Sequence, residues 1–141
     1  MNEIEILKEI NKDAKTGIDG LNYTLEKVQD SHFKNLLYTE KDSYQNIYNR
    51  TKELLMQNNE EVEDTSPVQK AMSWMGIQIN TLTDKSNSQI AELLIQGNDM
   101  GVIKGRKLLN NMEFRDTQIQ NILEDFVRLQ EKSMEDLKQY L

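Results

Sequence analysis

Apolar residues return every three or four positions along almost the whole chain, and no stretch of appreciable length alternates with period two. A three-to-four repeat gathers side chains on one face of a helix, whereas a half-buried strand needs strict alternation. The pattern commits the chain to an all-α fold. The first stripe, Ile4, Leu7, Ile10, Ala14, Ile18, Leu21, Leu25 and Val28, predicts a helix over about 2–29. Asp30 and Ser31 supply cap residues for a second over about 32–59, carrying Phe33, Leu36, Leu37, Tyr44, Ile47, Tyr48, Leu54 and Leu55. So short a connection packs the two helices antiparallel.

A polar, acidic stretch from Asn58 to Thr65 separates these helices from Ser66-Pro67-Val68-Gln69. There Ser is the N-cap, Pro the first helical residue and Gln the third, which together form a capping box. The box opens a shorter helix over about 67–83, with Val68, Ala71, Met72, Met75, Ile79 and Leu82 on its apolar side. Ser86-Asn87-Ser88-Gln89 is a second cap-like sequence. It precedes a helix over about 88–110, with Ile90, Leu93, Leu94, Gly97, Gly101 and Leu108 on one side. Asn110 and Asn111 break that helix. Asp116 caps the last, about 116–140, which carries Ile119, Ile122, Leu123, Phe126, Leu129, Met134 and Leu137. A chain of 141 residues is near the modal size of one domain, so 1–141 is read as a single helical bundle.

Four of the five helices are similar in length, roughly 35–42 Å at ~1.5 Å per residue. The short one sits in the middle of the order, where it can carry the chain back along the bundle. In that topology 32–59 and 88–110 run parallel, joined by one long crossover. The competing topology makes 67–110 one bent helix in a simple up-down-up-down bundle. Such a helix would overshoot its partners, and Ser86-Asn87-Ser88 interrupts it, so the crossover is the expectation.

Two stretches carry a resemblance. Ala14 to Leu21 (AKTGIDGL) and Trp74 to Gly101 (WMGIQINTLTDKSNSQIAELLIQGNDMG) are similar to segments of small, uncharacterised bacterial ferritin-like proteins that lack the di-iron motif. The resemblance extends over nearly the whole chain as an ordering of helices. It implies a ferritin-like up-down four-helix bundle with a short extra helix in the crossover, and it implies no established activity. The wealth of Asn, Lys, Glu, Ile and Gln fits an AT-rich bacterial coding bias.

Composition closes off several kinds of chemistry. Without cysteine there is no disulfide, thiolate nucleophile, iron–sulfur cluster or Cys-based zinc site. Di-iron and di-manganese bundles need a Glu-x-x-His on each of two helices. The one histidine, His32, has Gln29 three positions before it and lies at a helix start, so no metal site and no cofactor is expected. A net charge of −7 argues against nucleic acid as partner, and Lys104, Arg106 and Lys107 are too few to reverse that. No window approaches the roughly 18 apolar residues of a membrane span. The acidic start, Met1 to Glu5, does not resemble a secretory signal, so the expected location is cytoplasmic with no membrane partner.

Three groups of residues remain as candidates. Glu40 falls near the centre of its apolar stripe, and Gln130 sits between Phe126 and Met134 on the inner face of the last helix. With the crossover they lie level with each other and with Gly97. A Glu40–Gln130 hydrogen bond would then satisfy both, with Tyr44 or Ser133 nearby. In the up-down-up-down bundle Lys104 would come level with Glu40 and form a buried ion pair instead. Such a layer is either a register-fixing polar pair or a contact for a ligand.

The second group is Gly97, Gly101 and Gly105, which line one helix face. Each costs roughly 0.8–1.0 kcal/mol against Ala, so an offsetting gain is required: close helix packing or the wall of a pocket. The third is Trp74 with Ile77, which project from a second face of the short helix and form the candidate interface of a homodimer or of an unidentified protein partner. Tyr23, Tyr38 and Met56 also lie off their stripes. With no nucleophile beside a base, no catalytic residue is assigned, and the chain reads as acting by interaction or self-association. The alternative is a ligand-binding or carboxylate-metal bundle enzyme using the Glu40/Gln130 layer. An open cavity beside Gly97 and Glu40 favours the alternative; a filled core with Trp74 at a subunit contact favours interaction.

Overall fold

The computed structural model of the chain describes residues 1–62 and 74–141. Among them are five α-helices and no strand: α1 (Glu3–Leu25), α2 (Ser31–Gln57), α3 (Trp74–Thr81), α4 (Asn87–Asn111) and α5 (Thr117–Leu137), followed by a 3₁₀ turn, Lys138–Tyr140. The Ser66-Pro67 capping box, with Val68, Ala71 and Met72, lies outside the described residues. No described helix is long and apolar enough to cross a membrane.

The four long helices each begin on a side chain that takes up orphan backbone N–H groups. Asn2 Oδ1 accepts from Glu5 N at 2.8 Å, and Glu5 returns the bond to Asn2 N, a capping box. Asp30 Oδ1 accepts from Phe33 N at 2.8 Å, Ser86 Oγ from Gln89 N, and Asp116 Oδ1 from Gln118 N and Ile119 N. α2 closes in a Schellman arrangement: Asn59 adopts a positive φ of 57°, Asn59 N donates to Met56 O, and Glu60 N to Leu55 O.

The largest departures from the predicted helix ends are at α1 and α5. α1 stops at Leu25 rather than near 29, because the chain must already turn for Asp30 to cap α2. Lys27 N and Val28 N both fold back onto Thr24 O, which swings Val28 into the core. α5 gives way at Leu137 to the tighter 3₁₀ turn, which lays Tyr140 on Phe33 with ring centroids 4.3 Å apart.

Cross-helix pairs establish the helix directions. Asn11 Nδ2 meets Thr51 Oγ1 at 3.0 Å while Lys8 pairs with Glu60, so α1 and α2 are antiparallel. Asn98 reaches Ser133 and Arg106 reaches Glu131, so α4 and α5 are antiparallel. Phe33 lies on Tyr140, Tyr44 on Phe126, and Arg50 on Asp125, so α2 and α5 are antiparallel as well. α2 and α4 therefore run parallel, and the connection between them returns the chain to the end where α2 began. The reading of 67–110 as one bent helix is excluded by the break after Thr81, where Ser86 starts α4 afresh.

The core is one hydrophobic cluster, mostly aliphatic, drawn from all four long helices. Ile6, Leu7, Leu37, Leu55, Ile90, Ile119, Val127 and Leu137 are withdrawn from solvent. Each fully buried Leu or Ile contributes roughly 1.5–3 kcal/mol relative to exposure. α3 packs against both α1 and α4, its Met75 lying over Gly20 and its Asn80 bonded to the Tyr23 hydroxyl. It thus spans the seam between these two helices, and that seam is where the core is incomplete.

Candidate functional site

A cavity of about 320 Å³ opens at the seam between α1 and α4. Asp13, Thr16 and Gly17 of α1 form one wall, Leu94, Gly97 and Met100 of α4 the other, and Met75 of α3 contributes the cover. Glu40 and Tyr44 of α2, with Gln130 of α5, line it from the far side of the bundle. Small residues let these groups converge. A Cβ on Gly17 would stand 2.7 Å from the Tyr44 ring, so only glycine leaves room for that phenol. A Cβ on Gly101 would stand 2.1 Å from Gln130 Nε2, so this glycine seats the amide.

The glycine face of α4 thus serves two ends. Gly105 admits Val127 of α5, whose Cγ2 would be 2.4 Å from an added Cβ, and is a packing position. Gly97 lines the cavity. Gly101 does both, lining the cavity while receiving Gln130.

Deep in the site the polar side chains form a connected set. The Tyr44 hydroxyl donates to Asn98 Oδ1. Asn98 Nδ2 donates to Leu94 O at 3.0 Å and to Ser133 Oγ at 3.2 Å. Ser133 in turn holds the Glu40 carboxyl, and Gln130 stands against the Tyr44 oxygen. Glu40 and Gln130 are 5% and 6% exposed, yet Glu40 Oε1 and Gln130 Oε1 have no hydrogen-bond partner. The expected Glu40–Gln130 hydrogen bond is not formed, because each side chain is engaged by a different neighbour. Burial pushes the Glu40 carboxyl up to about 7, the Ser133 hydrogen bond opposing and the Asp136 charge reinforcing the shift. Burial likewise raises the Tyr44 phenol, with the Glu40 charge adding to it.

Lys104 does not belong to this layer. Its Nζ lies 2.7 Å from Glu9 Oε2 and 2.8 Å from Asp13 Oδ2, on the α1 side of the cavity. With α4 antiparallel to α1, Lys104 comes level with those two acids rather than with Glu40. Burial alone would lower its pKa, but the two carboxylates raise it on balance. Glu9 is lowered by its hydrogen bond from Lys104, whereas burial leaves Asp13 raised despite the same partner.

The candidate interface lies apart from this chemistry. Ile77 of α3 is 46% exposed, and the side chain of Trp74 lies outside the described part of the structure. Tyr38 and Met56 are exposed, whereas Tyr23 is half-buried and tied to Asn80. Asn98 is the residue of the candidate site's polar set that the sequence reading did not single out. It stands one turn after Leu94 on the same stripe as Gly101 and Gly105, so the argument that singled out Glu40, a polar residue on an apolar face, applied to it equally. Among the described residues no group of three or more His, Asp and Glu side chains is arranged to hold a metal ion. His32 lies exposed in the first turn of α2.

No family model and no curated protein matches the chain. Its fold is similar to a solved structure of a DUF305 fragment from Deinococcus radiodurans, with a TM-score of 0.75 and 14% identity. That match covers 97% of this chain and 93% of the other. At such identity the likeness concerns the helical architecture and not the residues of the cavity.

Proposed function

We propose that this chain is a ligand-binding helical bundle of ferritin-like connectivity, with the cavity between α1 and α4 as its binding site. The parallel run of α2 and α4 across one long connection supports the connectivity. One observation carries the binding reading: two buried acceptor oxygens, Glu40 Oε1 and Gln130 Oε1, go unpartnered in side chains that line a cavity. Leaving a buried polar group unsatisfied costs roughly 1–3 kcal/mol, so native cores retain few of them. A bound molecule offering donors would recover that free energy. The space of about 320 Å³ lies at the small end of ligand sites, which run from ~300 to ~1,000 Å³. Among the described residues lining the cavity no nucleophile is assigned beside a general base, and the proposed activity is binding.

Self-association through α3 is a second reading, favoured by the exposed Ile77 beside the cavity cover. The two readings are compatible, since a copy seated on α3 would close the same seam.

The test is a thermal-shift screen of the full chain against small neutral, cationic and anionic organic molecules. Hits in at least one class, abolished by Gly97→Leu in a still-folded protein, support the cavity as the site. An absence of hits in all three classes would sink the reading. Native mass spectrometry of the same sample reports subunit count and any retained adduct together.

A further inference from the structure

We propose that the ligand is a small organic ammonium ion with a short apolar body, its charged nitrogen held between Glu40 and Gln130. This rests on the cavity being a binding site and deepens that reading by naming the chemical class. The hydrogen-bonding groups at the far side are unbalanced. Both unpartnered atoms there, Glu40 Oε1 and Gln130 Oε1, are oxygens of side chains that line the cavity, and both are acceptors once Glu40 is ionised. Among the described residues the Tyr44 hydroxyl is committed to Asn98, and the Asn98 amide to Leu94 O and Ser133. The site therefore calls for a ligand that donates at least two hydrogen bonds, which an ammonium group does from a single atom.

Charge points the same way. Among the described residues lining the cavity the ionisable acids are Asp13 and Glu40, and the basic side chain is Lys104. Lys104 is held by two carboxylates at 2.7 and 2.8 Å, so no described residue lining the cavity gives Glu40 a cationic partner. An anionic ligand would bring a second negative charge beside a buried carboxylate. A cation supplies the missing counter-charge, and charge-assisted hydrogen bonds are roughly twice as strong as neutral ones. Apart from Thr16 and Asn98, the rest of the described wall is glycine, hydrocarbon and thioether, with Leu21, Met75, Leu94 and Met100 supplying surface for an apolar body.

The experiment compares three probes of one shape, phenethylamine, phenethyl alcohol and phenylacetate, by titration calorimetry on the full chain at about pH 8. The expected order is amine tightest, alcohol weaker by about tenfold or more, and acid without measurable binding. Glu40→Gln should bring amine and alcohol to similar affinity while leaving alcohol binding in place. Should that variant fail to fold, Gln130→Met keeps Glu40 and removes one acceptor, and the amine should again weaken against the alcohol. Equal binding of all three probes, or a preference for alcohol or acid, would overturn the ammonium class and leave the cavity standing as a site. No binding of any probe, with the broader screen also empty, would remove the site itself.

Discussion

The Tyr44 hydroxyl on α2 donates to Asn98 Oδ1 on α4, joining two helices that run parallel and share little other direct contact. The bond crosses the middle of the bundle, between the Glu40–Ser133 side of the polar set and the Gln130 side. Both partners are buried, so cutting it leaves a group that water cannot easily reach. Tyr44→Phe should destabilise the fold by about 1–3 kcal/mol, because Asn98 Oδ1 is then orphaned. In a double-mutant cycle with Asn98→Ala, measured by urea unfolding, the two substitutions should couple by about 1 kcal/mol or more. Additive losses would mean that the bond contributes nothing beyond the separate side chains.

Glu40 makes stability depend on pH in a defined direction. Its carboxyl titrates near 7 in the folded chain against an ordinary value of 4.5, so the folded state holds the proton more tightly than the unfolded state. The contribution is full below about 4.5 and is lost as pH rises through about 7, on the order of 3 kcal/mol across the window. The groups facing it include Ser133, Asp136 and Lys132 from α5, Tyr44 from its own helix, and Asp13 and Lys104 across the cavity. Other carboxylates titrate in the same range, so the comparison is with Glu40→Gln. That variant should match the wild type near pH 5 and exceed it near pH 8 in chemical denaturation. Parallel pH profiles for the two proteins would show that Glu40 is already charged and solvated.

Much of the architecture is written locally. Asp30, Ser86 and Asp116 each stand before an apolar repeat, and each accepts a backbone N–H two or three residues on. The crossover is legible because a short segment between long ones has to go somewhere, and a cap at Ser86 prevents it from merging with α4. The convergence of Glu40, Tyr44 and Gln130 follows once helix directions are known, since register then places side chains by arithmetic.

What sequence does not carry is which atoms those side chains face. The partners of Glu40 and Gln130 depend on rotamers chosen against Ser133, Tyr44 and Gly101, none of which leaves a periodic trace. The cavity is equally silent, because unfilled space is a property of how α1 and α4 stand apart around α3 and not of any one residue. Lys104 shows the limit of helical wheels. Its wheel position is compatible with Glu40 or with Glu9 and Asp13, and only the antiparallel run of α1 and α4 selects the acids.

Those two acids make Lys104 a test of the cavity's edge. Lys104→Met keeps the stem's apolar contacts but leaves Glu9 and Asp13 side by side without the cation that bridges them, the weaker field of Lys12 remaining. All three groups are partly exposed, so the loss in stability should stay within about 1 kcal/mol and shrink in high salt. Asp13, already raised by burial, should rise further once its counter-ion is gone. Carboxyl-carbon NMR titration reads that shift directly. An unchanged Asp13 titration in the variant would mean that the Lys104–Asp13 contact is not held in solution.

Gly97 and Gly101 lie one turn apart on α4, yet the same substitution should move them in opposite directions. At Gly101 a methyl group would arrive 2.1 Å from Gln130 Nε2, and the amide must leave its seat to admit it. Gln130 is buried at that point, so displacing it strains the α4–α5 contact as overpacking does, by about 1–3 kcal/mol. Gly97 is half-buried and lines the cavity. There Ala removes the helix penalty of glycine, and Gly97→Ala should stabilise by up to about 1 kcal/mol. Thermal melts of the two variants at one pH check both signs at once. If Gly97→Ala destabilised as strongly as Gly101→Ala, the α1–α4 seam would be closed in solution, and the cavity would have no room for a ligand.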